Sequence, residues 1–245
     1  MKTRDPLLPL GAALALLLAC QAAAAQVATL TERETNQRGN FAVGAGTDTD
    51  NGNYLLDLLS LDPQFSNVAG DSGAAAGGSA SFSTAQAYAL QGGTVVFSGA
   101  ALTAVDGPAS VVTYADALSQ LALVLLLDAP TPFELRVDLV EAPGTTVNGL
   151  VPRADAQVRL AGPGDVWLYN GGGSFVQSGV LAAGTWNINA FADARGNGDA
   201  RFAGVLTLSP VPEPAAWLLL VLGAPALLWR RVRATEARQA LRQGS

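Results

Sequence analysis

The chain has 245 residues, no histidine, one cysteine and a formal charge of −6. The missing imidazole excludes Ser-His-Asp and Cys-His catalytic sites, and the single thiol excludes metal centres built from several cysteines, so we expect no catalytic activity, no metal and no cofactor. The excess of acidic residues, with no basic stripe in the body of the chain, argues against nucleic acid as a partner.

Residues 1–25 have the layout of a secretory signal peptide. Lys2 and Arg4 precede an apolar run from Leu7 to Ala19, and an alanine-rich stretch follows. The run is short for a membrane span, and small side chains precede a cleavage site after Ala25. We predict cleavage there, with lipid attachment at Cys20 as the alternative.

Cleavage after Ala25 would leave a mature chain without cysteine, so its fold would not depend on disulfides. The body that follows, residues 26–209, carries 17 acidic residues and 7 arginines, a charge of about −10. Its 184 residues are enough to bury the core of a single domain.

Polar and glycine-rich stretches dominate the start of this body. "DTDNGN", Asp48–Asn53, offers oxygen ligands that suit calcium, but an EF-hand requires glycine at the sixth position and glutamate at the twelfth, where Asn53 and Leu59 stand. A solvated turn is therefore favoured, and calcium remains the alternative. The next segment, "NYLLDLLSLD", predicts a short helix with an apolar stripe. Residues Gly70–Ser79, "GDSGAAAGGS", predict a flexible loop.

Strand patterns fill the rest of the body. "SASFSTAQAYAL", "GTVVFSGAALTAV" and "VVTYADALSQLALVLLLDA" predict three long strands, and "PFELRVDLV", "GTWNINAFADA" and "DARFAGVLTLS" alternate apolar and polar residues. Glycine-rich turns separate them, and Arg195–Ala200 predicts a hairpin connection. We predict a mainly β fold, an antiparallel β-sandwich of jelly-roll-like type. The residues predicted to point inward are Phe133, Leu135, Val137, Leu139, Trp186, Ile188, Leu206 and Leu208.

Three carboxylates lie on or just after one predicted strand: Glu134, Asp138 and Glu141. A glycoside hydrolase needs two carboxyl groups about 5 to 10 Å apart, so these residues are candidates for such a site. The alternation of the strand favours the simpler interpretation, in which Glu134 and Asp138 are part of a solvated face.

Four aromatic residues are candidates for stacking against a sugar: Trp167, Tyr169, Phe175 and Phe191. Trp167 and Tyr169 share one face of a strand, which favours burial in the core over binding. Exposure of these rings on a flat or grooved face would indicate a carbohydrate-binding module.

The C-terminal segment "VPEPAAWLLLVLGAPALLWRRVR" combines a proline-rich start, an apolar run and a basic cluster. The run from Ala215 to Trp229 has 15 residues, about 22 Å as a helix against about 30 Å of hydrocarbon. We predict a short single transmembrane helix whose flanking arginines, Arg230, Arg231 and Arg233, stay cytoplasmic.

This segment closely resembles the PEP-CTERM sorting domain of exported Gram-negative proteins. The resemblance covers about 25 residues and begins at the motif Val211, Pro212, Glu213 and Pro214. It implies recognition and cleavage by the membrane enzyme exosortase, after a transient stay in the inner membrane. The sorting signal then spans 210–233, and residues 234–245 form a cytoplasmic tail that the family usually lacks.

The sequence thus predicts an exported protein of the cell surface or the extracellular biofilm matrix. We expect a structural or adhesive protein rather than an enzyme, with exosortase, the inner membrane and exopolysaccharide as partners. An exopolysaccharide-binding module is the alternative, and a hydrolase using two carboxylates is less favoured.

Overall fold

The computed structural model of the protein describes residues 28–209. The predicted signal peptide at residues 1–25, the sorting signal at 210–233 and the tail at 234–245 lie outside this range. Within residues 28–209 the protein is mainly β, and no helix there is long and apolar enough to cross a bilayer.

The described range contains twelve strands. Their bounds are β1 Thr29–Ala45, β2 Asp48–Leu59, β3 Gln64–Ala75, β4 Gly78–Gln91, β5 Thr94–Asp106, β6 Val112–Leu127, β7 Thr131–Pro143, β8 Arg153–Gly162, β9 Asp165–Asn170, β10 Gly173–Leu181, β11 Gly184–Arg195 and β12 Gly198–Leu208.

The strands form two six-stranded antiparallel sheets. Sheet A has the order β2-β1-β6-β11-β8-β9, and sheet B has the order β10-β7-β12-β5-β4-β3. Strands β1, β6 and β11 of sheet A contact β4 and β5 of sheet B, so the two sheets face each other across the core. The edge strands β2 and β3 close one side of this sandwich.

The alternation of the late strands identified the core correctly. All eight residues predicted to point inward are at most 5% exposed, from Phe133 in β7 to Leu208 in β12. Trp186 is fully buried, and its indole N–H donates to the carbonyl of Ala182 at 2.9 Å. This prediction is confirmed.

The predicted short helix at residues 53–62 is wrong, because most of this segment belongs to β2. Strand β1 pairs with β2 from Glu34 opposite Leu59 to Ala45 opposite Asp48, and this ladder supplies the backbone hydrogen bonds. Closely spaced leucines fit a helical stripe and an alternating strand equally well. In the strand, Leu55 and Leu59 are 70% and 68% exposed.

The predicted flexible loop at Gly70–Ser79 is also wrong. Strand β3 continues to Ala75, and β4 begins at Gly78. Ala76 and Gly77 between them have φ values of 52° and 82°, which is the pattern of a two-residue type I′ hairpin turn. The small residues that suggested a loop allow these strands to pack closely.

The connection predicted as a hairpin at Arg195–Ala200 joins two different sheets. Strand β11 lies in sheet A and β12 in sheet B, so they are not hydrogen-bonded neighbours. The side chain of Asn197 fixes the connection between β11 and β12. Its side-chain oxygen accepts from the N–H of Val105 at 2.7 Å, and its side-chain nitrogen donates to the carbonyl of Thr145 at 3.2 Å.

The interior is apolar in one part and polar in another. Leucines of β6 and β7 and phenylalanines of β5 and β12 form the apolar part. Between β1 and β4, buried polar side chains form what we call the polar seam: Arg33, Thr35, Gln37, Thr84, Gln86 and Tyr88.

Candidate functional site

Each of the three candidate carboxylates has another partner in the structure. Glu134 and Asp138 lie on the outward face of sheet B, four residues apart on β7, which is about 13 Å along a strand and beyond the spacing of a glycosidase pair. Glu134 forms an exposed ion pair with Arg136 at 2.5 Å, and Asp138 accepts a hydrogen bond from the hydroxyl of Ser174.

Glu141 has a structural position. One of its carboxylate oxygens accepts from the backbone N–H of Ala156 at 2.9 Å and from that of Gly171 at 3.1 Å. It therefore ties the end of β7 to β8 and to the connection between β9 and β10.

The segment Asp48–Asn53 is the start of a strand and not a turn. Its carboxylates bond to the end of β3 and to the turn after it. Asp50 accepts from the N–H of Ala74 at 3.2 Å, and Asp48 accepts from that of Ala76 at 2.7 Å. Within residues 28–209, no group of three or more acidic side chains is placed to hold a metal ion.

Three of the four predicted aromatic residues pack against the core. Trp167 is half-buried, with ring centroids 5.7 Å from Trp186 and 5.3 Å from Phe133. Tyr169 and Phe175 pack against each other at 5.3 Å. These contacts join the outer strands β9 and β10 to the core. The placement of Trp167 and Tyr169 on one strand face predicted this burial.

Phe191 differs, because it lies on the outward face of sheet A. It is half-buried on the interior strand β11, directly opposite Gln120 of β6 and Gln157 of β8. Gln120 is in turn opposite Asn36 of β1. We call these four side chains, Asn36, Gln120, Phe191 and Gln157, the amide row. It places one aromatic ring in a line of uncharged amides across the sheet.

A charged cluster adjoins the amide row two residues further along β11. Asp193 lies opposite Asp155 of β8, and Arg153 bonds to Asp155 and lies 3.9 Å from the Asp193 carboxylate. Burial raises the pKa of the Asp193 carboxyl most, Arg153 opposes that shift, and Asp155 adds to it. The two opposed carboxylates are therefore bridged by one guanidinium.

A second aromatic residue, Tyr114, lies on the same outward face. The guanidinium carbon of Arg195 lies 5.2 Å from the centroid of its ring, a cation–π contact. Arg195 is opposite Asp116, the next outward residue of β6. The face thus carries two aromatic rings separated by charged and amide side chains.

Sequence reasoning named Phe191 but missed its neighbours. Gln120 and Gln157 are unremarkable polar residues in the sequence, and only the register of β6, β11 and β8 brings them together. One signal was available: Phe191 breaks the alternation of β11, because a large apolar residue stands at a position where Asn187, Asn189 and Asp193 face outward.

The outward face of sheet B has a different character. Three shallow grooves of about 360, 320 and 580 Å³ run over it, floored mainly by alanine, serine and glycine. Among residues 28–209, no exposed aromatic ring lies on this face. Its arginines, Arg136 and Arg201, are already paired with acids two residues away on their own strands.

The remaining predicted site residues lie outside the described range: the motif Val211, Pro212, Glu213 and Pro214, and the basic residues Arg230, Arg231 and Arg233. Comparison of the chain with models of known protein families finds no match, and comparison with curated proteins finds no similar sequence.

Proposed function

We propose that this is an exported surface or matrix protein of a Gram-negative bacterium, sorted by an exosortase through its C-terminal segment. The observation that carries the proposal is the order of features in residues 211–233: a Val-Pro-Glu-Pro motif, a short apolar run and an arginine cluster. Pro212 and Pro214 favour an extended backbone around Glu213, which makes that residue accessible to an enzyme.

The same segment gives the order of events. The apolar run holds the chain in the inner membrane with the arginines on the cytoplasmic side and the β body outside. Exosortase then cuts near Glu213, and the body moves to the cell surface or the extracellular matrix. The run is short relative to a bilayer, which suits transient residence better than permanent anchoring.

In the matrix, the body is a structural or adhesive protein and not an enzyme. Support comes from the absence of histidine in the whole chain and from the occupied carboxylates of Glu134, Asp138 and Glu141. The jelly-roll-like topology belongs to the same proposal. It is supported by the many connections that pass from one sheet to the other, as between β5, β6, β7 and β8.

Replacement of Glu213 tests the sorting proposal. In the native host, wild-type protein should lose the segment after about Val211 and reach the surface or the medium. Glu213→Ala should leave full-length protein in the inner membrane, whereas Glu236→Ala, an acid in the tail, should behave as wild type. Mass spectrometry of membrane, surface and medium fractions reads this out. Surface-located wild-type protein that still carries peptides of residues 234–245 would contradict sorting by cleavage.

Binding of exopolysaccharide is a second candidate function, favoured by the outward position of Phe191 within the amide row. A matrix protein that binds its own polysaccharide would be retained there without a covalent link. Co-sedimentation of the purified protein with the exopolysaccharide of its host measures this, and failure to co-sediment would leave only the structural role.

A further inference from the structure

The outward face of sheet A has the chemistry of a surface that binds an uncharged sugar polymer. We infer that the amide row binds a neutral, hydroxyl-rich polysaccharide lying along β11, with Phe191 as the stacking platform. The inference rests on the second candidate function above and specifies its ligand and its residues.

The ring of Phe191 is held in place before any ligand arrives. Strand β11 is hydrogen-bonded on both sides, to β6 and to β8, so its backbone is fixed. The side chain is half-buried between Gln120 and Gln157, and little further freedom is lost when a ligand covers it. The C–H face of a pyranose ring is apolar, and stacking it on an aromatic ring removes apolar surface from water.

The amides next to the ring match the hydroxyl groups of a sugar. Each carboxamide offers both donors and an acceptor, as each hydroxyl does. Directly opposite side chains on neighbouring strands have Cβ atoms about 4.5 to 5.5 Å apart, so Gln120 and Gln157 are within reach of groups around one stacked ring. Asn36 continues the line on β1, opposite Gln120.

The charges favour a neutral polymer over an acidic one. No member of the amide row is charged. On one side of Phe191 along β11, Asp193 faces a second acid, Asp155, and on the other side Asn189 faces Arg159, so the neighbouring charges are of both signs. The arginine nearest to this pair, Arg153, is already bonded to Asp155. An acidic polymer would bring carboxylates to this pair on a body of about −10 charge, and like charges repel.

The face accommodates a chain and not only a terminal sugar. Tyr114 lies six residues from Gln120 on β6, about 20 Å along the strand. Between the two rings, Asp116 and Asp193 offer acceptors and Arg195 offers donors to hydroxyl groups. Tyr114 and Phe191 lie on the same outward face, so internal segments of a polymer that runs along the strands can contact both residues.

Affinity electrophoresis of the purified full-length protein, in non-ionic detergent, tests the inference. The gels contain hydroxyethylcellulose, dextran or galactomannan as neutral probes, or alginate as an acidic probe. Retardation by at least one neutral polymer and none by alginate is expected. Phe191→Ala should weaken the binding roughly tenfold, the effect of losing one aromatic stacking contact of about 1.4 kcal/mol.

Matched variants separate loss of binding from loss of folding. Phe191→Tyr keeps the ring and should bind as wild type, and Gln157→Ala should weaken binding without unfolding the sheet. Val205→Ala, an exposed apolar residue on sheet B, should change nothing. Circular dichroism of every variant reports folding.

Retardation by alginate alone, by no polymer, or equally in wild type and Phe191→Ala would overturn the inference. Sorting is judged separately: Phe191→Ala should still be cleaved and exported in the host, and Glu213→Ala should still bind the neutral polymer in the gel. The two proposals can therefore fail independently.

Discussion

Arg33 is a buried cation that has no carboxylate partner within residues 28–209. One terminal nitrogen donates to the hydroxyl of Tyr88 at 3.3 Å, and the guanidinium carbon lies 4.8 Å from the ring centroid of Phe65 and 5.2 Å from that of Tyr88. The other two nitrogens bond to no protein group in the part of the chain that the structure describes. Two aromatic faces compensate only part of the cost of burying a charge.

Replacement of this arginine by an unbranched apolar side chain should therefore stabilise the protein. We expect Arg33→Met to raise the free energy of unfolding by about 1 to 4 kcal/mol, because it removes an unpaired buried charge while filling a similar volume. Arg33→Ala should lower it, because a cavity remains. Urea unfolding of both variants measures the difference. A less stable Arg33→Met would mean that buried water or an anion already satisfies the guanidinium.

At the scale of elements, the edge strands β2 and β3 are joined by reciprocal contacts between aspartates and glycines. The Asp50 carboxylate lies against Gly73 of β3, and the Asp71 carboxylate lies against Gly52 of β2. The ring of Phe41, on β1, packs against both glycines. A side chain at either glycine would separate the two edges, so these positions are where the sheets approach closely.

Gly73→Ala should consequently destabilise the protein by about 1 to 3 kcal/mol, the usual cost of adding a methyl group to a tightly packed site. The new methyl would overlap the Asp50 carboxylate and the Phe41 ring. Gly172→Ala is the control, because a methyl there would meet its nearest atom at 3.6 Å. Thermal unfolding compares the two variants. Equal melting temperatures would show that the β2–β3 edge adapts freely.

The elements differ in how far the sequence determined them. In β7 and β12 one face is buried and the other solvated, so alternation alone identified Leu135 and Leu206 as core. In β2 the leucines fit both the helical and the strand periodicity, and in β3 the small residues resemble a flexible linker. The sequence therefore predicted a helix and a loop where the structure has two strands. Their conformation depends on contacts with β1 and β4, which a single sequence does not contain.

The same limit applies to the candidate site. Phe191 could be named from its sequence, but its neighbours Gln120 and Gln157 lie 71 and 34 positions away and meet it only through strand register. The proposed sorting motif is the opposite case, because its residues are contiguous, so the proposal can be made without a fold. Contiguous residues were enough to propose the sorting signal, whereas the amide row could be defined only from the tertiary structure.

For the whole molecule, no disulfide joins the two sheets within residues 28–209. The range contains no cysteine, and none of its acidic side chains form a group of three or more that could hold a metal. Of the aspartates that suggested calcium, Asp50 accepts a backbone hydrogen bond from Ala74 of β3, and Asp48 accepts one from Ala76 in the turn that follows. Burial of apolar side chains and the strand ladders must supply the stability.

The melting temperature of the protein should therefore be the same in EDTA, in excess calcium and in the presence of a thiol reductant. Ligands that bind only the folded state raise the melting temperature by an amount that grows with the logarithm of ligand concentration over Kd. A structural calcium ion would therefore be revealed by a loss in EDTA that calcium restores. Differential scanning calorimetry of the purified protein measures this. An Asp50→Asn variant extends the test. It should be slightly less stable than wild type, because the amide oxygen is a weaker acceptor for the N–H of Ala74. This loss of stability should be the same in EDTA and in calcium. A calcium-dependent difference between wild type and Asp50→Asn would instead assign a cation site to the β2–β3 edge.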